Sequence, residues 1–370
     1  MKNYSTYTNN FTYGRDLVKK LVIAAAVACV LGLLTQSNQT LQLIFVVAST
    51  LVFIYAIYTI IKYCRCPSCN KVIFFGLFTA AYQLSASIGV FAAGMLSSIA
   101  WQFLFLIPSV TILFLPILLK TLPSKSGNGQ KVDAFGFVIF GFATTFLTLF
   151  FSYMSWWMLV VSLLLFVAFA FYINKASNPF ITPAFFKNTR WLRAICLILV
   201  FYFVNYALSP IFNAIGTNIY GMTTTQVSLH IVWAFVVAAV VGTCSGMIIR
   251  KIGIKAGIVT AGTLMFLGWT GAALCVNSGF VVLTLCACVF YAGCGLMYSP
   301  VVSTVLGTIE KDESGRGVGM NDLAMNVSPS IGIAIIGSLL GFTGGAYSAG
   351  GAAQQLSNIL GIIGGMLQSV

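Results

Sequence analysis

Long apolar runs, joined by short polar stretches, set the pattern of this chain. They fall at about 17–34, 41–61, 72–98, 101–119, 134–153, 156–173, 194–215, 227–249, 256–275, 279–305, 318–342 and 352–367. Most approach or exceed the roughly 20 residues a helix needs to cross bilayer hydrocarbon. The last is weaker, with Gln354, Gln355, Ser357 and Asn358 in a glycine-rich run. The pattern predicts an all-α polytopic membrane protein of 11–12 transmembrane helices.

Composition agrees. Of 370 residues, 59% are hydrophobic and only 7% charged, a balance foreign to soluble domains. The net charge of +13 does not point to nucleic acid, because the basic residues are scattered through short loops. The polar N-terminus runs straight into the first apolar segment, without the pattern of a cleavable leader. With the N-terminus in the cytoplasm and a crossing at every segment, all 19 Lys and Arg lie on one side. The opposite loops (35–40, 99–100, 154–155, 216–226, 276–278, 343–351) hold no charge. This is the positive-inside distribution. It predicts a multi-pass protein of the cell (inner or plasma) membrane, with lipid as its surroundings.

Polar residues inside the apolar runs are the candidates for function. Asp322 and Asn326 stand four apart in segment 318–342, and Ser330 continues the same helical face. A carboxylate in the middle of a spanning helix is unfavourable by about 2.5–3.5 kcal/mol on insertion scales, so it usually meets a partner or a water-filled cavity. Ser328, Gly332, Ala334 and Gly337 make a small surface suited to close helix packing, and Pro329 can interrupt the hydrogen-bond ladder. Asp322 has two readings. It binds protons, or gates the cytoplasmic side with Arg250 or Arg316; or it is a first-turn acid favoured by the helix dipole. His230, the only histidine, is either an exit-side proton site or a neutral packing residue.

The stretch 174–193 holds Asn178-Pro179-Phe180-Ile181-Thr182-Pro183 and then Lys187-Asn188. Its prolines and apolar side chains predict a joint lying along the membrane surface. The loop 120–133 reads as flexible. Cys64, Cys66 and Cys69 have no nearby histidine and read as loop thiols, and the other seven cysteines as packing residues. No HExxH, phosphate-cradling loop or histidine–carboxylate set is present, so no enzyme, metal or cofactor is expected.

Several motifs together resemble the major facilitator superfamily, in its 14-span drug:proton antiporter branch. They are the joint Asn178-Pro179-Phe180-Ile181 with Lys187-Asn188, the loop Gly246 to Lys255, the run Gly293 to Pro300, the glycine-rich entry from Gly315, and Trp101, Phe103 and Pro108. A glycine and basic cluster at Gly14-Arg15-Asp16 and Lys19-Lys20 echoes Gly246 to Lys255. Eight apolar segments separate the two, as in that branch. The resemblance therefore implies a chain that enters the family pattern at its third span. It implies an incomplete N-terminal bundle over 1–133, a linker helix pair and joint over 134–193, and a six-helix C-terminal bundle over 194–370.

The resemblance also implies proton-coupled efflux of drug-like amphipathic compounds, multidrug or tetracycline-like, with protons and a small substrate as partners. It places Tyr202, Asn205, Tyr206, Asn213, Tyr291, Met297, Tyr298 and Asn326 at the substrate, and Asp322 and His230 at the proton. Gly89, Gly94, Gly246, Arg250, Gly253, Lys255, Arg316 and Pro329 become gating positions. The chain departs from the pattern at Val90, where the antiporter motif has proline, and in lacking an arginine in segment 41–61. The alternative is a shortened relative that no longer transports and acts as a membrane-embedded partner or remnant.

Overall fold

The computed structural model describes residues 70–99, 115–116, 133–176, 179–309 and 314–343. Segments 17–34, 41–61 and 352–367, nearly all of 101–119, the cysteine loop and the N-terminal basic echo lie outside the described residues. Among those described, every regular element is an α-helix: α1 Asn70–Ile99, α2 Ala134–Tyr153, α3 Trp156–Lys175, α4 Pro183–Lys187, α5 Thr189–Asn218, α6 Thr224–Ile252, α7 Ile254–Leu274, α8 Phe280–Gly307 and α9 Ser314–Thr343. Seven of them, α1, α2, α3, α5, α6, α7 and α8, are long and apolar enough to cross a membrane. The chain is a multi-pass, all-helical membrane protein.

The helices outrun the apolar segments at their polar ends. Segment 194–215 becomes α5, which begins at Thr189, and segment 318–342 becomes α9, which begins at Ser314. Backbone hydrogen bonding carries a helix past the hydrocarbon as long as no residue stops it. The same applies at proline: Pro210, Pro300 and Pro329 all lie inside continuous helices. Each removes only one N–H from the ladder, which membrane helices tolerate. The joint at 174–193 is compact, with α4 only five residues long.

The residues fall into two compact units, each considered by itself. The first contains α1, residues 212–300 and hence α6 and α7. Here α1 packs along α6. Gly94 lies against Ser228, Phe91 against Val232, Trp233 and Val236, Ala80 and Leu84 against Ala239, and Thr79 against Gly242. The pairs step in opposite directions, so the two helices are antiparallel. Thr225 Oγ1 closes the seam by donating to the Gly94 carbonyl at 3.0 Å.

Within the same unit, α8 fits between two partners. Gly268 of α7 receives the backbone of Phe290, and a Cβ at Gly293 would lie 2.7 Å from the Ala261 carbonyl oxygen and from Met265. Gly295 rests directly on the Ala238 carbonyl of α6. The contacts make α7 antiparallel and α6 parallel to α8, as a chain crossing at every helix requires. The α6–α7 turn is made at Gly253, whose φ of 86° and ψ of 161° suit only a residue without Cβ.

In the second unit, α2 and α3 form an antiparallel hairpin. Ser162 Oγ donates to the Ala143 carbonyl at 2.8 Å, and Phe140 meets Phe166 and Phe169 edge to face. Asp133 closes its open end. Its Oδ1 accepts from Gly136 N–H (2.8 Å) and from Tyr172 O–H (2.6 Å), and its Oδ2 from Phe180 N–H (3.0 Å). One carboxylate thus caps α2, holds the end of α3 and fixes the joint. The Phe180 ring stacks on Phe137 at 4.2 Å. Burial pushes the Asp133 carboxyl up, but its hydrogen bonds from Tyr172, Gly136 and Phe180 outweigh that and hold it below the ordinary 3.8. Asn188 is a second clasp: Oδ1 accepts from Trp191 N–H at 3.2 Å, and Nδ2 donates to the Thr308 carbonyl at 3.1 Å.

Gly295→Ala drives a methyl into backbone that cannot yield, and is expected to destabilise the protein by about 1–3 kcal/mol. Gly262→Ala, with nothing within 4 Å, is expected to be neutral or stabilising by up to about 1 kcal/mol. Thermal unfolding in detergent reads both. For Asp133, a folded pKa below the unfolded one gives stability that is complete above about pH 4 and fades as pH falls through the native value. Asp133→Asn keeps one oxygen for Gly136 but turns an amide NH2 toward Phe180 N–H, and is therefore expected to lower stability by about 1–2 kcal/mol at neutral pH, the scale of a donor left without an acceptor. That difference should shrink in acid. A difference independent of pH would reject the carboxylate clasp.

Candidate functional site

The first concentration of polar groups lies on α9. Its helical register separates Asp322, Asn326 and Ser330 from the rest: all three are exposed, while Met320, Asn321, Ala324, Met325 and Ser328 are buried. Asn326 Nδ2 donates to the Asp322 carbonyl at 2.7 Å, and Ser330 Oγ to the Asn326 carbonyl at 3.0 Å. The amide and hydroxyl are thus held by their own helix, and the stripe presents the Asp322 carboxylate outward. Because α9 starts at Ser314, Asp322 lies in its third turn and no acid occupies the first. This corrects the first-turn reading: the dipole at the helix start is too far away to account for this acid.

The opposite face of α9 packs on α5. Ser328 Oγ donates to the Leu199 carbonyl, and Gly332 lies over the Phe203 carbonyl. The two contacts step together along both helices, so α5 and α9 run parallel. Around this seam α5 carries Tyr202 and Asn205, both buried, and Tyr206, half-buried. Tyr202 stacks with Tyr206 at 6.3 Å and meets Phe201 edge to face at 4.9 Å. Four of the sequence-selected residues (Tyr202, Asn205, Tyr206 and Asn326) and Asp322 therefore belong to one unit.

Asn213, Tyr291, Met297, Tyr298 and His230 belong to the other. Tyr291 packs on Phe235 with centroids 4.5 Å apart. Met297 and Tyr298 are buried and Asn213 half-buried. His230 is buried against the edge of Phe280. Its Nδ1 is 3.2 Å from Thr284 Oγ1, whose single proton is directed to the Phe280 carbonyl at 2.8 Å.

The gating positions differ in setting. Gly94 is wedged on Ser228, whereas Gly89 has open space. Gly246 and Pro329 are buried; Arg250, Gly253 and Lys255 are exposed around the α6–α7 turn. Arg316 lies in the first turn of α9. Among the described residues no group of three or more His, Cys, Asp or Glu could hold a metal ion.

Three polar residues escaped the sequence reading. Asn321 is buried on α9; its amide donates to Met325 Sδ at 3.0 Å and to Asp322 Oδ1 at 3.4 Å, and its Oδ1 has no partner among the described residues. Only register distinguishes it from Asp322, one residue away. Thr284 has no sequence signal of its own, and Asp133 ends the loop 120–133 that reads as flexible. The one available signal was Asp133 directly before an apolar run, an N-cap position.

No family model matches the chain. Over 169 residues it is 22% identical to the Multidrug resistance protein Stp of Mycobacterium tuberculosis, in two strains. The match takes in 45% of this chain and 31% of that relative. The chain thus spans about a third of the length of the curated relatives it matches.

Proposed function

We propose that this chain is a secondary active transporter of the major facilitator superfamily, in its drug:proton antiporter branch. It moves amphipathic, drug-like compounds out of the cell in exchange for protons by alternating access. One observation carries this reading: the 169-residue similarity to a protein named for multidrug resistance, in a chain whose apolar helices bury Asn205 and His230. Buried polar side chains in spanning helices generally mark a solute or ion pathway.

In this reading the substrate contacts proposed for one unit are Tyr202, Asn205, Tyr206 and Asn326, and those proposed for the other, taken by itself, are Asn213, Tyr291, Met297 and Tyr298. Aromatic and thioether surfaces with a few polar anchors suit bulky amphipathic molecules. Asp322 takes up the proton on the stripe with Asn326 and Ser330, and His230 offers a second site. The basic turn at Arg250 and Lys255 is one cytoplasmic gating element, and Arg316 at the start of α9 is another. The bundles divide as the motifs suggest, over 1–133, 134–193 and 194–370, and the N-terminus is cytoplasmic.

Inverted vesicles bearing the full chain are expected to accumulate ethidium or tetracycline when an inward-acid gradient is imposed, and to stop when it is collapsed. Asp322→Asn is expected to reduce uptake to that of vesicles without the protein, while leaving thermal stability unchanged. Uptake unaltered by that substitution, with the same pH dependence, removes Asp322 from the mechanism. A chain that inserts and folds but moves neither compound is instead a non-transporting relative.

A further inference from the structure

The turn between α7 and α8 brings two cysteines together. Cys275 caps α7, and Cys286 lies on the first turns of α8. The two thiols are in hydrogen-bonding contact, both are partly exposed, and neither is in a disulfide. The geometry follows from direction. Side chains lean toward the N-terminus of their own helix, so in an antiparallel pair Cys275 leans back along α7 while Cys286 leans down α8 toward it.

The surrounding residues preserve this approach. A Cβ at Gly271, one turn before Cys275, would lie 3.0 Å from Cys286 Sγ. The absence of a side chain there gives the sulfur its place between the helices. The turn itself is pinned. Tyr220 O–H donates to the Val276 carbonyl at 2.7 Å and accepts from Gly279 N–H at 3.1 Å, and Ser278 N–H donates to the Cys275 carbonyl at 2.9 Å. Neither thiol is used by the proposed transport cycle.

We propose that Cys275 and Cys286 form a reversible disulfide that staples the ends of α7 and α8 under oxidising conditions. The oxidant is a low-molecular-weight disulfide. The Cys275 thiolate, at the helix end beside exposed Asn277 and Ser278, attacks one sulfur of the reagent and expels the first small thiolate. The Cys286 thiolate then attacks Cys275 Sγ and expels the second. The protein thiols lose two protons and two electrons, and the reagent is reduced to two thiols. Loop 276–278 belongs to the charge-free set of loops in the sequence, and on the positive-inside reading it faces the oxidising side of the membrane.

Purified full-length protein treated with oxidised glutathione tests this. No Lys or Arg lies between Lys255 and Lys311, so the chain is cut with chymotrypsin and the peptides are mapped with and without reductant. The expected result is a reductant-sensitive link between the peptides holding Cys275 and Cys286. It should be lost in Cys275→Ser and in Cys286→Ser and kept in Cys288→Ser. Gly271→Val, which crowds the sulfur, is expected to slow its formation severalfold. Glutathione remaining on Cys275 without closure, or links distributed among other cysteines, would overturn the proposal.

Discussion

Hydrocarbon offers no partner to a polar group, and the form of this protein follows from that constraint. Every backbone N–H and C=O must be satisfied within the segment that crosses, which selects helices. Six threonine hydroxyls obey the same rule. Thr144, Thr145, Thr148, Thr243, Thr260 and Thr263 each donate back to a carbonyl one turn earlier in their own helix. These groups are neutralised locally and ask nothing of their neighbours. The polar residues of functional interest are those buried between helices or kept on an outward stripe: Asn205, His230, Asn321 and Asp322.

Lipid tails are as apolar as leucine, so burial alone does not draw two such helices together. Close approach does, through dispersion and weak polar contacts available only to small residues. Gly94 on Ser228, Gly268 on Phe290, Gly295 on Ala238 and Gly332 on Phe203 are such approaches. At each, a side chain would have to occupy space already filled by a neighbouring helix. The hairpin of α2 and α3 relies less on glycine and more on stacked phenylalanines, with the Asp133 carboxylate gathering its ends. It exposes large side chains such as Trp156, Leu164 and Phe171, which lipid can cover without penalty.

The helices were legible because apolar length is a strong signal: segments 134–153 and 156–173 match α2 and α3 almost to the residue. Helix ends were harder, since hydrogen bonding continued α5 and α9 beyond the apolar run. The shared face of Asp322, Asn326 and Ser330 could be read from spacing alone. The burial of Asn321 could not, because one residue of register decides between core and surface. Asp133 looked like the end of a flexible loop; its three hydrogen bonds come from residues up to 47 positions away, beyond any local pattern. The two-thiol contact was hidden for the same reason, depending on how α7 and α8 lean across their turn.

The crossings depend on charge being kept out of the hydrocarbon and on one side of it. A membrane-impermeant amine reagent applied to intact cells, followed by peptide mapping, measures this directly. Lys125 and Lys187 should remain unmodified until the membrane is opened, and then react. Labelling of either lysine from outside intact cells would contradict the arrangement of crossings, and with it the transport reading built upon them.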